Sequence, residues 1–379
     1  MNTAICKLTG CEFPLFAFSH CRDVVVAVSK AGGFGVLGAV MFTPEQLKVE
    51  LDWIDAHIDG KPYGVDLAIP ENMAIKSAQG LSSTDLWAQI PPQHITFFEG
   101  LLRKHGIDPT TQTESQQDHA VGLLHDTAHA AMMIAFEHPI ALMVQALGLP
   151  PQSMIDQGRK HNVPIGALVG SADHAVRQVE FGVDLVVAQG TEAGGHCGDI
   201  STMVLVPEVI RRLKDEGHAN IPVLAAGGIV TGSQMAAAMT MGAAGAWTGT
   251  LWLPTIESEL ADVMRDKYVA AKSRDTVRSR ASSGKLARQL RSAWTEAWAA
   301  EDSPDMLPMP FQPLLAEEMR ERAIKAAQNG NEQAKQLLNY YVGQGVGMLN
   351  DTPSVRHVMQ TFMTDYVAAL EHAKNLLEA

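Results

Sequence analysis

Short apolar runs alternate with amphipathic helical patterns between residues 14 and 250 of this 379-residue chain. Such alternation predicts βα units, whose strands pair in parallel because each helix returns the chain to the same end of the sheet. Eight units predict an α/β fold of the TIM (β/α)8 barrel type, and a doubly wound open sheet is the main alternative. The predicted strands are Pro14–Phe18, Gly35–Ala39, Tyr63–Leu67, Pro139–Gln145, Pro164–Val169, Asp184–Gln189, Pro222–Ala226 and Gly245–Gly249.

Start signals support the helices between these strands. Thr43 stands before Pro44 and three residues ahead of Gln46, which is the spacing of a capping box. The GxGxxG pattern at residues 33–38 follows a helix and leads into a strand, whereas a dinucleotide fingerprint needs the opposite order. We interpret it as a tight turn. The predicted helices include Arg22–Lys30, Pro44–Asp59, Gln152–His161, Ala172–Phe181, Pro207–Glu216 and Ser233–Met241.

Two regions depart from the βα repeat. Residues of about 71–130 form a polar, mostly helical insertion after the third strand, and the chain becomes helical again near residue 256. We therefore predict a barrel domain at 1–255 and a helical C-terminal region at 256–379 that packs on the barrel. Insertions in βα loops lie at the catalytic face of a barrel. The insertion is equally expected to form a lid over the substrate or a flap that packs on the barrel or on the second subunit of a homodimer.

Composition excludes several classes of protein. A net charge of −13 argues against binding to nucleic acids or anionic membranes. No apolar run reaches the roughly 20 residues that span a bilayer, and the N-terminus lacks the pattern of a signal peptide. The four cysteines have neither CxxC spacing nor the density of a secreted scaffold, so we expect reduced thiols in a cytoplasmic protein.

Glycines and one histidine follow the sixth predicted strand, in the segment Gln189–Gly198. A Gly-rich turn at the carboxyl end of a strand lets backbone N–H groups approach a ligand closely. His196 is therefore a candidate for proton exchange with a molecule bound beside the turn. Capping a loop is about as common a role for such a histidine.

The seventh and eighth predicted strands also end in glycines. TIM barrels bind phosphate at these two strand ends, so Gly227–Gly228 and Gly249–Thr250 predict a phosphate site. The helix that begins at Thr231–Ser233 is expected to direct its N-terminal amides at the anion. A single phosphate group suits FMN or a sugar phosphate better than a dinucleotide.

His125 and His129 have the i,i+4 spacing of metal ligands, but no further ligands are evident around them, and no metal site is predicted. Cys197 is interpreted as a small residue that fills the loop, with a redox thiol as the alternative.

Lys285, Arg288 and Arg291 are predicted to form the basic face of a helix. Such a face is solvated by default, although a phosphate or an acidic substrate would also suit it. Gly343–Gly347 is interpreted as a flexible turn between two helices, with close approach to a ligand as the alternative.

Taken together, five segments make the chain resemble the nitronate monooxygenase family of FMN-dependent TIM barrels. The resemblance extends over most of the chain outside the insertion, and the GxEAGGHxG motif is its most specific part. The segments are Ala31–Ala39, Gln189–Gly198, Ala225–Ile229 with Gly242–Thr250, Ser283–Arg288 and Gly343–Gly345.

The resemblance implies that His196 is the catalytic base and that FMN is the cofactor. It further implies that backbone around the glycines of the seventh and eighth strands holds the flavin phosphate. Gln189 and Gly190 would then lie beside the flavin ring, with Gln344 near it. The predicted cofactor-binding residues are Ala17, Phe18, Asp66, Gln189, Gly190, Gly194, Gly195, Ala226, Gly227, Gly228, Gly249, Thr250 and Gln344.

Three positions depart from the family pattern. Residues 16–20 replace the usual Ala-Pro-Met segment, Asp66 stands where an Asn is common, and Cys197 stands where Arg is frequent. These changes leave the substrate open. The resemblance also includes NAD(P)H:quinone reductases, flavin-dependent enoyl-thioester reductases and relatives that oxidise acyl-CoA.

We therefore expect an FMN-dependent oxidoreductase that acts on nitronates or nitroalkanes and passes electrons to O2. His196 would remove the acidic α-proton, and the amides of Gly194 and Gly195 would stabilise the resulting negative charge. The alternatives are an NAD(P)H-dependent reductase of quinones or acyl thioesters, an acyl-CoA-oxidising relative, and a flavin-binding module without enzymatic activity.

Overall fold

Eight parallel strands close into a barrel whose spatial order follows the sequence. The structure is a computed structural model that describes residues 1, 3–40, 42–69, 83–110 and 125–378. The first strand pairs with both the second and the eighth, so the sheet has no open edge. This closure confirms the TIM barrel and rules out the open sheet. The strands are β1 (Leu15–Ser19), β2 (Phe34–Gly38), β3 (Tyr63–Leu67), β4 (Leu142–Gln145), β5 (Ile165–Val169), β6 (Leu185–Gln189), β7 (Val223–Ala226) and β8 (Gly245–Thr248).

Helices follow the strands and surround the barrel, and the GxGxxG segment turns from a helix into β2 as predicted. In the described part of the chain, no helix is both long and apolar enough to span a bilayer. The α-helices are α1 (Ala4–Thr9), α2 (Arg22–Lys30), α3 (Pro44–His57), α4 (Ser83–Trp87), α5 (Pro92–Lys104), α6 (His125–Ala135), α7 (Gln152–His161), α8 (Ala172–Phe181), α9 (Thr202–Asp215), α10 (Gly232–Thr240), α11 (Asp262–Ala270), α12 (Ala293–Ala297), α13 (Phe311–Gln328) and α14 (Val355–Glu378).

Side chains on each strand alternate between the barrel interior and the layer of helices, as the pleat requires. Phe16, Phe34 and Trp247 fill the interior, and the Phe16 ring centroid lies 4.8 Å from that of Phe34 and 6.2 Å from that of Trp247. Helix α1 adds Ile5 and Cys6 to this inner cluster. The barrel is therefore a packed core, and only its carboxyl edge is left to build a site.

The described helices of the insertion pack on the C-terminal region. Phe98 and Leu102 of α5 share a hydrophobic cluster with Trp294 and Trp298, and His94 is hydrogen-bonded through Nε2 to the Asp305 carbonyl at 2.8 Å. Residues 70–82 and 111–124 of the predicted insertion lie outside the described residues.

The C-terminal region is not helical throughout. Strands β9 (Thr276–Ser279) and β10 (Ala287–Leu290) pair antiparallel, in a stretch that was predicted to be helical. The prediction is wrong because β10 also forms backbone bridges to Gly195 and Tyr341, which are distant in sequence. Such long-range hydrogen bonds override local helical pattern.

The final helix, α14, packs against α10 at very close range. A Cβ atom on Gly232 would lie 1.9 Å from the Phe362 carbonyl oxygen, so glycine permits the contact. Asp365 of α14 accepts a hydrogen bond from the Ser233 amide at 2.7 Å and so caps α10.

Candidate active site

The loop after β6 is fixed to its surroundings at both ends. The Gly190 amide donates to the Ala226 carbonyl at 2.9 Å, and the Thr191 amide donates to the Ile200 carbonyl at 2.8 Å. The Glu192 carboxylate accepts hydrogen bonds from the amide (2.9 Å) and hydroxyl (2.8 Å) of Thr202. The loop is therefore a rigid platform at the carboxyl edge of the barrel.

Glu192 also explains an error in a predicted helix boundary. Helix α9 begins at Thr202, five residues before the predicted start at Pro207. Pro207 lies inside the observed helix, within its second turn. Here the Glu192 carboxylate binds the first amide of the helix from outside the local sequence.

His196 is oriented by one backbone contact. Its Nδ1 lies 3.1 Å from the Leu286 carbonyl oxygen. A carbonyl can only accept, so this contact assigns the ring proton to Nδ1 and leaves the Nε2 lone pair to accept a proton. Burial, opposed by the Leu286 contact and aided by the charge of Lys285, lowers the pKa of His196. The imidazole is therefore neutral at neutral pH, as a general base must be.

Strand β10 supports the His196 loop. Gly195 and Arg288 exchange backbone hydrogen bonds at 2.9 and 2.8 Å. The buried Arg288 guanidinium donates from Nε to the Thr191 carbonyl at 2.8 Å and from its NH1 to the Thr276 hydroxyl at 3.1 Å. The predicted basic helical face is therefore wrong, because this segment is a strand and Arg288 points into the protein. Sequence analysis missed this role of Arg288.

Gly195 takes part in this pairing through its own backbone amide. Its amide donates to the Arg288 carbonyl, so it is not available to stabilise negative charge on a substrate, contrary to expectation. A Cβ on Gly194 would lie 2.8 Å from the Val342 carbonyl carbon, so close packing requires a glycine at this position.

Glycine backbone shapes the ends of β7 and β8. Gly227 and Gly228 have φ values of 110° and 71°, which only glycine adopts readily. A Cβ on Gly249 would meet only Phe18 Cδ1, at 3.9 Å, so protein packing does not demand glycine there. Within the described ranges, no protein acceptor binds the amides of Gly228 or Thr250. These features leave backbone donors beside an open recess, the arrangement expected of an anion site.

The N-terminus of α10, which was predicted to bind the phosphate through its amides, is hydrogen-bonded to side chains of the protein itself. The Thr231 side chain caps α10, and the Asp365 carboxylate accepts a hydrogen bond from the Ser233 amide. That part of the prediction is wrong, because α14 approaches this N-terminus from more than one hundred residues away. The short 3₁₀ helix Thr250–Trp252 lies after β8 instead; the Thr250 hydroxyl accepts from the Gly343 amide at 2.9 Å.

A chain of rings crosses the barrel mouth. Successive ring centroids are separated by 5.1 Å from Phe18 to His20, 6.5 Å from His20 to Tyr340, 5.5 Å from Tyr340 to Tyr341 and 6.2 Å from Tyr341 to His196. The two tyrosines were not predicted. Backbone contacts with β10 bring them to the site, namely the bridge between Gln289 and Tyr341 and the hydrogen bond from the Leu290 amide to the Tyr340 carbonyl at 3.1 Å, and no local signal marks them.

Asp66 lies next to the last residue of β3, and Gln145 ends the neighbouring strand β4. The side chain of Gln145 is hydrogen-bonded, whereas that of Asp66 is not. Gln145 is fully buried and binds both the amide and the carbonyl of Ile69, at 3.3 and 3.1 Å, so it joins two loops. Asp66 is 1% exposed, and neither carboxyl oxygen has a partner in the structure. Burial alone raises the pKa of Asp66 well above its ordinary value.

The remaining predicted residues occupy different places. Ala17 packs outside the barrel against the helices, so only its backbone is able to contact a ligand at the mouth. Ala226 belongs to the inner cluster, and Gln189 ends β6 on the same inward-facing side by alternation. The Gln344 amide donates to the Glu192 carbonyl at 2.9 Å, which attaches the predicted glycine turn to the His196 loop.

Cys197 lies within hydrogen-bonding range of the Thr191 carbonyl, with 3.5 Å between Sγ and oxygen. Burial raises the pKa of its thiol, which disfavours the reactive thiolate. The filler interpretation therefore fits the structure better than a redox role.

A cleft of about 650 Å³ lies away from the barrel mouth, between α11 and α12. Its lining includes Lys267, Arg291, Asp275 and Glu296, so it contains charges of both signs. Its lining includes neither His196 nor any of the predicted cofactor-binding residues, so the candidate active site is the carboxyl edge of the barrel.

The family model for nitronate monooxygenase matches residues 17–365. The chain belongs to the nitronate monooxygenase family. It is 45% identical over 381 residues to a Mycobacterium tuberculosis protein named "Putative monooxygenase", and the match covers 100% of both chains. It is 28% identical to a "Probable nitronate monooxygenase" of Staphylococcus aureus, over 92% of this chain and 93% of that protein.

Solved structures share the fold. Nitroalkane oxidase from Streptomyces ansochromogenes superposes with a TM-score of 0.76 at 24% identity, over 98% of this chain and 100% of the other. FabK from Thermotoga maritima gives a TM-score of 0.71 at 24% identity, over 99% of each chain. Family membership makes this protein an oxidoreductase enzyme of a group that is in general flavin-dependent.

The residues at the mouth fit a flavin. Gly228 and Thr250 offer unbonded amides, Gly249 leaves a recess that a Cβ would partly fill, and Asp66 directs a partnerless carboxyl inward. The described residues thus provide both backbone donors for an anion and a buried polar group that faces the barrel interior.

Proposed function

We propose that this protein is an FMN-dependent oxidoreductase that oxidises nitroalkanes and nitronates, with His196 as the general base. The observation that carries the proposal is the contact between His196 Nδ1 and the Leu286 carbonyl, at 3.1 Å. It leaves a neutral Nε2 at the carboxyl edge of the barrel, where the family's chemistry requires a base.

The chain's own residues account for the proton transfer. An α-proton of a nitroalkane is acidic, and Nε2 of His196 accepts it to give a nitronate and an imidazolium. The Lys285 ammonium, close enough to lower the pKa of His196, favours the anionic product electrostatically. The rings of Phe18 and Tyr341 border this site and would limit the access of water to it, which would strengthen these interactions.

FMN, when bound, would accept electrons from the nitronate and pass them to O2. The amides of Gly228 and Thr250 would hold its phosphate, and the inward-facing Gln189 and Asp66 would contact its ring system. The backbone amides at the ends of β7 and β8 would suit a single phosphate group.

The test separates proton abstraction from oxidation. In His196→Asn, kcat/KM for neutral nitroethane should fall by about 10²–10⁴, since general-base catalysis typically contributes that much. Activity with preformed ethyl nitronate should be largely retained, because that substrate has already lost its proton. FMN content, measured from the visible spectrum, should match wild type.

Equal losses with both substrates would point to a structural role for His196, and wild-type activity with nitroethane would refute the base assignment. Anaerobic mixing with NADH or NADPH tests the reductase alternative. Rapid bleaching of the flavin by either donor would replace the proposed function with a reductase. The buried position of Arg288 already removes part of the basic face that suited an acyl-CoA substrate.

A further inference from the structure

Asp66 is a buried polar residue near the carboxyl end of β3. Tyr63, Val65 and Leu67 of β3 pack outward against the helices. Because successive residues of a strand face opposite sides, Asp66 points into the barrel. It pairs in register with Gly38 of β2 and Val144 of β4, neither of which offers a polar side chain.

The surroundings of Asp66 do not support a negative charge. The residue is 1% exposed, and both carboxyl oxygens lack a hydrogen-bond partner. An ionised carboxylate that is buried without a partner is strongly disfavoured, whereas a protonated carboxyl costs much less to bury. Burial is also the sole cause of the raised pKa of Asp66, so no neighbouring cation offsets it.

We propose that Asp66 stays protonated in the free protein and donates this proton in a hydrogen bond to an acceptor atom of the bound flavin. The inference rests on the proposed binding of FMN. A protonated carboxyl offers one donor and one acceptor, as an amide does, but only below its pKa. Flavin affinity is therefore linked to pH through this side chain.

Other titratable groups near Asp66 are few in the described part of the chain. His20 lies on the β1 side, where its Nδ1 is 2.7 Å from the carbonyl oxygen of Gly38. Asp55 and Tyr63 form a hydrogen bond on the outward side of β3, away from the barrel interior. On the β4 side the following residue is Gln145, which does not titrate. His20 is the group to be controlled for.

The experiment measures the FMN dissociation constant of the deflavinated protein from about pH 5 to about pH 9 by flavin fluorescence quenching. The flavin titrates as well, so the wild-type constant is divided by that of Asp66→Asn at each pH. This ratio should rise by about tenfold per pH unit above the pKa of Asp66 in the free protein. Asp66→Leu should bind FMN about tenfold more weakly than Asp66→Asn, because it lacks the hydrogen bond.

Two controls assign the effect. Asp173→Asn removes a largely exposed carboxylate, and His20→Asn removes the nearest imidazole; both should keep the wild-type pH dependence. Infrared spectra of the FMN-free protein give a second readout. At neutral pH the wild-type spectrum minus the Asp66→Asn spectrum should contain the carbonyl band of a protonated carboxyl.

The absence of that infrared band at neutral pH would overturn the inference, and so would a ratio that stays constant across a pH interval in which the band disappears. If every variant failed to bind FMN at any pH, the proposed cofactor would be wrong, and with it the donated hydrogen bond. The infrared band would still decide whether Asp66 keeps its proton, so the two failures are distinguishable.

Discussion

The imidazole of His196 has two neighbours that set its protonation, the Leu286 carbonyl and the Lys285 ammonium. The carbonyl contact raises the pKa of His196, whereas burial, the larger effect, and the lysine charge lower it. No carboxylate is among these causes, unlike the base of a Ser-His-Asp triad. Its basicity thus depends mainly on how far the protein buries the ring.

The pH profile is expected to reflect these neighbours. With a neutral nitroalkane, log kcat/KM should rise with pH and level off above a pKa lower than the ordinary value of 6.5, because only neutral imidazole accepts a proton. Lys285→Gln removes a positive neighbour, so the acidic limb should move to higher pH. Steady-state rates in a constant-ionic-strength buffer series measure both profiles. An acidic limb that persists unchanged in His196→Asn would show that another group is the base.

Strand β10 is the main support of the His196 loop. Its backbone pairs with Gly195, and Arg288 ties the loop at Thr191 and the neighbouring strand at Thr276. Arg278 of β9 adds an ion pair with Asp199 and a hydrogen bond to the Cys197 carbonyl at 3.2 Å. A barrel loop is therefore positioned by a sheet from the C-terminal region.

Arg288→Ala tests this arrangement. It removes two hydrogen bonds from a buried cation, so unfolding free energy should fall by about 2–4 kcal/mol. Because His196 would lose its support, kcat/KM should fall by about tenfold or more. Arg291→Ala, which removes an exposed guanidinium beside the same strand, should change neither quantity appreciably. Denaturant unfolding and steady-state kinetics on both variants provide the measurement, and equal behaviour of the two would contradict the supporting role of Arg288.

At the scale of the whole molecule, α14 holds the end of the chain against the barrel. Phe362 and Tyr366 enter the same hydrophobic cluster as Leu15 of β1 and Leu205 of α9. The close contact at Gly232 and the cap from Asp365 lie within this surface. Residues far beyond the eighth strand therefore belong to the core that surrounds the barrel.

Gly232→Ala should disrupt that docking. The added Cβ would meet backbone atoms of α14, which do not move as a flexible side chain does, so the unfolding free energy should fall by about 3 kcal/mol. Gly100→Ala is the matched control, since Gly100 lies in α5 with no atom within 4 Å of its Cβ position. It should be neutral or stabilise by about 0.5–1 kcal/mol, because alanine favours a helix. Thermal unfolding of both variants measures the difference in their stability. Equal melting temperatures would mean that α14 does not pack tightly against α10.

Much of the fold was predictable because short-range sequence patterns determine its strands and helices. Alternating apolar runs and helix caps identified all eight strands, with boundaries that differ by at most three residues and coincide for β3. Thr43 and Gln46 form the capping box that their spacing predicts. The His196 loop was identified in the same way, since glycines and a histidine directly follow a strand.

The errors share one cause. The segment around Arg288 was predicted to be helical, α9 was started too late, and the N-terminus of α10 was predicted to face an anion. In each case a partner from elsewhere in the chain decided the outcome: Gly195 for β10, Glu192 for α9 and Asp365 for α10. A sequence pattern does not reveal such partners.

The sequence by itself determined the barrel, the edge at which ligands meet it and the histidine that stands there, because these follow from local periodicity and from turns at strand ends. Only the tertiary structure decided which side chains surround that histidine and which polar groups lack partners. Burial and hydrogen bonding at Arg288, Tyr341 and Asp66 depend on residues brought together from distant parts of the chain. Their chemistry is therefore a property of the folded molecule.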